Sequence, residues 1–238
     1  MNSPQIEETY IRSVASVLHS WLNYLYEVSN TKHLAAESSL RFPIAGFLER
    51  KDVKLTLEKE HPYFKRKRVD FYWKTRGFDI YMEAKYVRGK NQPICQDIYN
   101  DLFRLALIDD GKHRNNITYF LICGNIKDFG KYFGITNQSK AYFEDEGGGI
   151  KLHSYKTKVE GNINEILSCD INEDIREFEF HKNNEFYNSF VEKYHSDTNS
   201  SPIPQSLKIR TTLMMSYTKE LESAVAIWKV ERVETTEG

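Results

Sequence analysis

The chain has 238 residues, a formal net charge of −1 and 40% hydrophobic residues. That composition excludes a disordered chain and a uniformly basic nucleic-acid coat protein, and the length suits one large domain with a substantial core. No apolar run approaches the length of a membrane span, and the N-terminus lacks the apolar core of a signal peptide. Three cysteines, Cys95, Cys123 and Cys169, show no CxxC spacing. The expectation is a protein without membrane contact in a reducing cytoplasm, with neither a disulfide framework nor a zinc site.

Ser3-Pro4 marks a helix start. Tyr10, Val14, Val17, Leu18, Trp21, Leu22 and Leu25 then repeat at helical spacing and predict a helix over residues 4–28. It serves either core packing or a dimer contact. A second helical segment runs from His33 to Arg50, with Pro43 expected to kink or restart it. Within it Glu37 and Arg41 stand four apart, the spacing of a surface ion pair. Val53, Leu55 and Leu57 alternate with Lys54, Thr56 and Glu58, as in a half-buried strand closed by His61-Pro62. Four adjacent cations follow, Lys65, Arg66, Lys67 and Arg68. They are either a grip on a phosphate backbone or a solvated loop.

The stretch from Val69 to Lys85 is the most informative. V-D-F-Y-W and D-I-Y-M-E-A-K read as two strands around a turn at Thr75-Arg76-Gly77. Strand alternation puts Glu83 and Lys85 on one face and Ile80, Met82, Ala84 and Tyr86 on the other. The hairpin brings Asp70 alongside them, and all three are expected at a solvent-facing cleft. Two carboxylates are a usual minimal protein contribution to a Mg²⁺ site, with waters and phosphate oxygens completing the shell. A lysine beside them can steer a water or stabilise charge. Asp79 shares the face of Glu83 but lies about 13 Å back along the strand, and reads as a turn or surface residue.

Arg88 and Lys90 leave this strand and extend the basic patch. Pro93 opens a helix with Ile94, Ile98, Leu102 and Leu105 as its buried stripe. Gln96, Asp97, Asp101 and Arg104 fall on its other faces. Residues 117–123 form a continuous apolar run, a strand covered on both sides, so 78–123 predicts a βαβ crossover. Cys123 reads as a small core residue. Beyond it the pattern suggests a short helix within 126–146, a Gly147-Gly148-Gly149 junction, and a strand near 150–155. An edge strand at 175–181, an aromatic helix at 184–194 and a loop at 196–206 follow. Two more strands, near 207–216 and 224–233, form a hairpin that extends the sheet or builds a dimer contact.

Asp70, twelve residues, Glu83, one residue, Lys85, set in strand–turn–strand–helix order, resembles the core of the PD-(D/E)xK nuclease superfamily; Val69 stands where that name has proline. The resemblance covers roughly residues 30–125. It implies an α/β fold with a mixed central sheet flanked by helices, like the restriction endonucleases, and a family-specific C-terminal β elaboration over 126–238. It implies hydrolysis of DNA phosphodiester bonds with Mg²⁺, for which Mn²⁺ can substitute. Asp70 and Glu83 would hold the metal with the main-chain carbonyl of Ala84, and Glu37 would be a further acid from the preceding helix. Lys85 would orient or help deprotonate the attacking water and stabilise the pentavalent charge. Gln96 is the candidate polar residue from the following helix, where a solvated or capping role fits equally. A homodimer would allow both strands to be cut, and restriction or anti-phage defence is the role that analogy suggests. The alternative on the same fold is a catalytically inactive nucleic-acid- or protein-binding module.

Overall fold

Runs of β-branched and aromatic residues assemble into one mixed sheet of seven strands. They are β1 (Leu55–Glu60), β2 (Arg68–Thr75), β3 (Phe78–Val87), β4 (Asn116–Asn125), β5 (Ile175–His181), β6 (Ser206–Tyr217) and β7 (Ser223–Val233). Their spatial order is β1-β2-β3-β4-β7-β6-β5. Among the described residues four helices flank the sheet: α1 (Ser3–Glu27), α2 (Arg41–Glu49), α3 (Pro93–Ile108) and α4 (Glu185–Tyr194). The α/β class with a mixed sheet is therefore the one the sequence implied. This computed structural model describes residues 3–28, 34–75, 77–87, 93–108, 115–125, 167, 175–181, 185–198, 202–217 and 223–233. Arg88, Lys90, the glycine junction and the elements expected within 126–155 lie outside the described residues. Among those described, no helix is long and apolar enough to cross a membrane.

The meander β1-β2-β3 is antiparallel. Its second turn relies on Gly77, whose φ of 101° is a conformation that side-chain-bearing residues rarely adopt. From β3 the chain crosses through α3 and returns as β4, parallel to β3 from Asp79↔Asn116 to Val87↔Gly124. This is the expected crossover. On its other edge β4 takes β7 antiparallel. A strand paired on both edges and covered on both faces has no solvent side, so Ile117 through Gly124 are all buried.

Of the two roles expected for the C-terminal hairpin, this pairing shows that it extends the sheet. β7 sits at the centre of the sheet with Ile227 and Trp228 fully buried. The C-terminal hairpin completes the core instead of decorating it, and β5 is the edge strand that its alternating charges suggested. Strand alternation sends Ala226, Trp228 and Val230 to one face and Val225 and Ile227 to the other.

One face carries α1 and α2, packing Leu18, Leu22, Ile44 and Leu48 onto Trp73, Met82 and Leu121. The first helix is thus a core-packing element, lying over β6 and β7. It is also tied to β3, where the Tyr26 and Tyr86 hydroxyls share a hydrogen bond. The second helical segment breaks at Leu40, between a 3₁₀ turn at Glu37–Ser39 and α2. Pro43 lies in the first turn of α2, where its missing N–H has no intrahelical partner to lose, so it restarts the helix without a kink.

The opposite face carries α3 and α4. Here the sequence reading needs a correction. Asp101 and Arg104 lie off the apolar stripe of α3, where solvent is expected, yet Asp101 is buried and the Arg104 side chain is only 13% exposed. The cause is a second aromatic layer. Phe180, Tyr187 and Phe190 close over the helix and pack on Tyr99 and Phe103. A helix held between a sheet and such a cover has no solvent side to offer its charges.

Candidate functional site

The site forms where β2 and β3 separate. Their pairing runs from Thr75↔Phe78 to Phe71↔Met82 and stops. Opposite this point on β1, Glu58 adopts a φ of 50°, an uncommon conformation for a non-glycine residue, which re-aims the strand. Beyond the last pair, a side chain takes over from the backbone ladder. Asp70 Oδ2 accepts the N–H of Ala84 at 2.8 Å. A strand residue's N–H and C=O leave on the same edge, so the Ala84 carbonyl lies on this open edge too.

Glu83 and Lys85 share a face of β3, as alternation predicts, and they point toward α3. Glu83 is 2% exposed and its carboxyl is a hydrogen-bond neighbour of Asp70. Arg104 Nη2 donates to Glu83 Oε1 at 2.6 Å and to Asp101 Oδ1 at 2.7 Å. Lys85 Nζ stands 2.9 Å from Asp101 Oδ2. The result is one chain of charges, Asp70–Glu83–Arg104–Asp101–Lys85, binding α3 to the open strand edge. The expectation that all three motif residues face solvent is corrected for Glu83, which lies beneath the opening. Asp70 is half-buried at its wall.

Glu37 approaches from the other side of the sheet edge. Its carboxyl faces Lys85, Asp70 and the backbone N–H of Tyr86. It lines an open cleft of about 170 Å³ together with Arg41, Leu57, Glu58, Asp70 and Phe71. The position assigned to it by resemblance is therefore beside Asp70, although the pairing with Arg41 is not what holds it. Arg41 Nε donates instead to the Ser38 carbonyl at 2.6 Å.

The electrostatics follow from crowding. Burial pushes the pKa of Glu83 well above the ordinary carboxyl value; Asp101 and Asp70 add to this, and Arg104 opposes it. Burial also raises Glu37; Lys85 opposes, while Asp70 and Asp101 add to the rise. Burial alone would lower Lys85, but Asp101, Glu37 and Glu83 outweigh it and carry Lys85 above the usual lysine value. Lys85 is thus an ammonium here, and the role of proton acceptor does not suit it. Four carboxyls share the region with two cations. With Arg41 at the cleft wall counted, one negative charge is left over when all are ionised, and two carboxyls respond by holding protons more tightly.

This donor set fits a hard divalent cation in one limited sense. Among the described residues, no three His, Cys, Asp or Glu side chains form a ready-made cage for a metal. The pair Asp70 and Glu83 is nonetheless all-oxygen, carries uncompensated negative charge and has a main-chain carbonyl beside it. Mg²⁺ is commonly held by one or two carboxylates while it keeps several waters.

The basic residues divide. Lys65, Arg66 and Arg68 are exposed. Lys67 turns away from the cleft, 3.5 Å from Asp197 Oδ2 and over the ring of Tyr194. The Lys65 backbone N–H bonds the Asp197 carbonyl. Only Arg68 is linked to the cleft, donating to Glu58 at 3.0 Å. The expected patch of four cations is therefore reduced, and Arg41 is a cleft cation that the sequence did not single out. Gln96 falls in the first turn of α3, and its side chain lies outside the described residues.

His61, which closes β1 in the sequence, is a buried bridge. Its Nδ1 accepts the N–H groups of Tyr63 and Phe64 at 3.0 and 3.2 Å, which leaves the proton on Nε2, 3.1 Å from the Arg104 carbonyl. Burial and the Arg104 charge lower its pKa to about 3. Asp79 accepts from the Tyr72 hydroxyl at the far end of the hairpin and takes no part in the site. Comparison with protein-family models, with curated proteins and with solved structures found no match to this chain, which leaves its own geometry to carry the functional reading.

Proposed function

We propose that this chain is a divalent-metal-dependent nuclease that hydrolyses phosphodiester bonds in DNA, on a core similar to that of the PD-(D/E)xK superfamily. The observation that carries this reading is the charge imbalance at the parted edge of β2 and β3. Among the described residues, Asp70, Glu83, Asp101 and Glu37 meet Lys85 and Arg104, with Arg41 at the wall of the adjoining open cleft, so carboxyls outnumber cations by one. A dication would offset that excess. In a purely structural network a buried charge without a counter-ion is a cost with no return.

Asp70 and Glu83 would hold the ion, with the Ala84 carbonyl beside them and Glu37 near enough to bind an outer water. Such an ion polarises a phosphoryl oxygen and lowers the pKa of a bound water. The remaining work belongs to the chain. Lys85, kept charged by Asp101, stabilises negative charge that builds on the phosphorus oxygens in the transition state. Asp101 and Arg104 fix the directions of Lys85 and Glu83. Arg41 and Arg68, at the cleft wall and rim, supply positive charge for the nucleic-acid backbone.

The test is a plasmid-nicking assay with Mg²⁺, with Mn²⁺ and with EDTA, beside Asp70→Asn and Lys85→Ala. Metal-dependent cutting that both substitutions abolish is the expected result. Cutting by Lys85→Ala at the wild-type rate, or cutting that survives EDTA, refutes the assignment. An RNA and branched-DNA panel in the same assay fixes the substrate class. One observation favours a second reading, an inactive binding module: Arg104 already satisfies one oxygen of Glu83 in a buried ion pair. That reading requires salt-dependent binding without cutting and no stabilisation by metal.

A further inference from the structure

The buried arginine of α3 stands against the residue that the proposed nuclease needs most. Arg104 Nη2 lies 2.6 Å from Glu83 Oε1 and 2.7 Å from Asp101 Oδ1, so one nitrogen is shared between two carboxylates. The side chain is 13% exposed, and its Nε is buried without a hydrogen-bond partner among the described residues. Among the described residues, then, at least one guanidinium N–H is buried without a bond in return. Its backbone is pinned as well, through the Arg104 carbonyl and His61. A buried, incompletely satisfied cation held in place from both ends has a cost that packing alone does not explain.

We infer that Arg104 is the resident counter-ion of the carboxyl cluster, a positioning residue that holds Glu83 by one oxygen and sets how tightly a divalent cation is bound at Asp70 and Glu83. The inference rests on the proposed metal-dependent reading and deepens it. Asp101 is the second arm of the device. By sharing the same Arg104 nitrogen it draws the guanidinium from Glu83, and by pairing with Lys85 it takes up part of a second positive charge that would otherwise act on the acidic edge alone. The two residues then act on metal affinity with opposite signs. Without Arg104, Glu83 is freed and a positive charge 2.6 Å from its Oε1 is gone. Without the Asp101 charge, Arg104 has only Glu83 to hold and Lys85 has lost its partner.

Mn²⁺ alone is the probe, titrated calorimetrically into the full chain at fixed pH and salt, with no substrate present. Arg104→Gln is expected to bind Mn²⁺ at least about tenfold more tightly than wild type, the scale of one unit charge at this range. Asp101→Asn, close to isosteric, is expected to bind at least about tenfold more weakly. Loss of a merely structural contact would weaken binding in both variants, so that outcome overturns the inference, as does unchanged affinity in Arg104→Gln. Should Arg104→Gln fail to fold, Asp101→Asn still decides: affinity equal to or above wild type refutes the device. Wild-type protein that neither binds Mn²⁺ nor cuts DNA would sink the nuclease reading and this inference together, whereas wild-type binding without the opposed shifts sinks only the inference.

Discussion

Protonating His61 should loosen the fold from beneath the site, and the size of the effect follows from its surroundings. The ring is 2% exposed and both nitrogens are committed. An imidazolium would turn the Nδ1 acceptor into a donor aimed at two backbone N–H groups. Burial, then the Arg104 charge, lowers its pKa from 6.5 to about 3, against a smaller opposing effect from the Arg104 carbonyl. An unfolded chain takes up this proton below pH 6.5, and the folded chain does not until near pH 3. Stability that is complete above pH 6.5 is therefore lost as the pH falls, at about 1.4 kcal/mol per pH unit. By pH 5 the loss is roughly 2 kcal/mol, or about 4–8 °C in Tm for a protein of this size. Glu83 and Glu37 act in the opposite direction. Their raised values keep protons on the folded chain, so they cost stability as the pH rises above the ordinary carboxyl range. Wild type alone mixes these slopes. The assay is urea unfolding at pH 6.5 and pH 5.0 for wild type and His61→Gln, which does not titrate. Wild type should lose about 2 kcal/mol more than the variant over that interval. Equal losses in the two proteins would refute the reasoning.

Three further outcomes are expected. Saturating Mg²⁺ at about a hundred times its dissociation constant should stabilise wild type by about 2.7 kcal/mol, and scanning calorimetry of Asp70→Asn should show no such gain. Arg41→Ala should reduce the slope of log binding constant against log salt for duplex DNA by about one, measured by fluorescence anisotropy in Ca²⁺, because one phosphate contact is lost. Gly124→Ala should destabilise the protein by about 1–3 kcal/mol in chemical unfolding, since the added Cβ would meet the Val87 carbonyl oxygen at 2.6 Å in the β3–β4 pairing.

The parts of the fold legible in the sequence were those governed by local periodicity. The helical stripe of α1, the alternation in β2 and β3, and the apolar run of β4 each report their own burial. The neighbour relation of Asp70, Glu83 and Lys85 was legible too, because a tight hairpin with glycine at its turn fixes register over a few residues. What stayed hidden depends on contacts distant in sequence. Asp101 and Arg104 look like an ordinary solvated face until Phe180 and Phe190, far along the chain, close over it. Their only local mark is the spacing of Asp97, Asp101 and Arg104, which puts three charges on one stripe beside the apolar one. The Lys65–Arg68 run is divided for the same reason. Which cation reaches the cleft is decided by Asp197 and Tyr194, which draw Lys67 away. The central place of β7 could not be read from its sequence, since alternation reports which faces are buried and not which strand lies alongside.

The pairing of β4 with β7 also governs how the molecule must be made. Thr118 and Val230, hydrogen-bonded across that seam, are 112 positions apart. Closing so long a loop is slow, because its entropy is lost before any contact repays it. Until β7 docks, β4 exposes an unpaired apolar edge, the kind of template on which other chains assemble. A chain with β4 in place and β7 still undocked would be the vulnerable form. Substitutions that delay β7, such as a proline within 224–230, should appear first as lower soluble yield at higher expression temperature, before any measured loss in the finished fold.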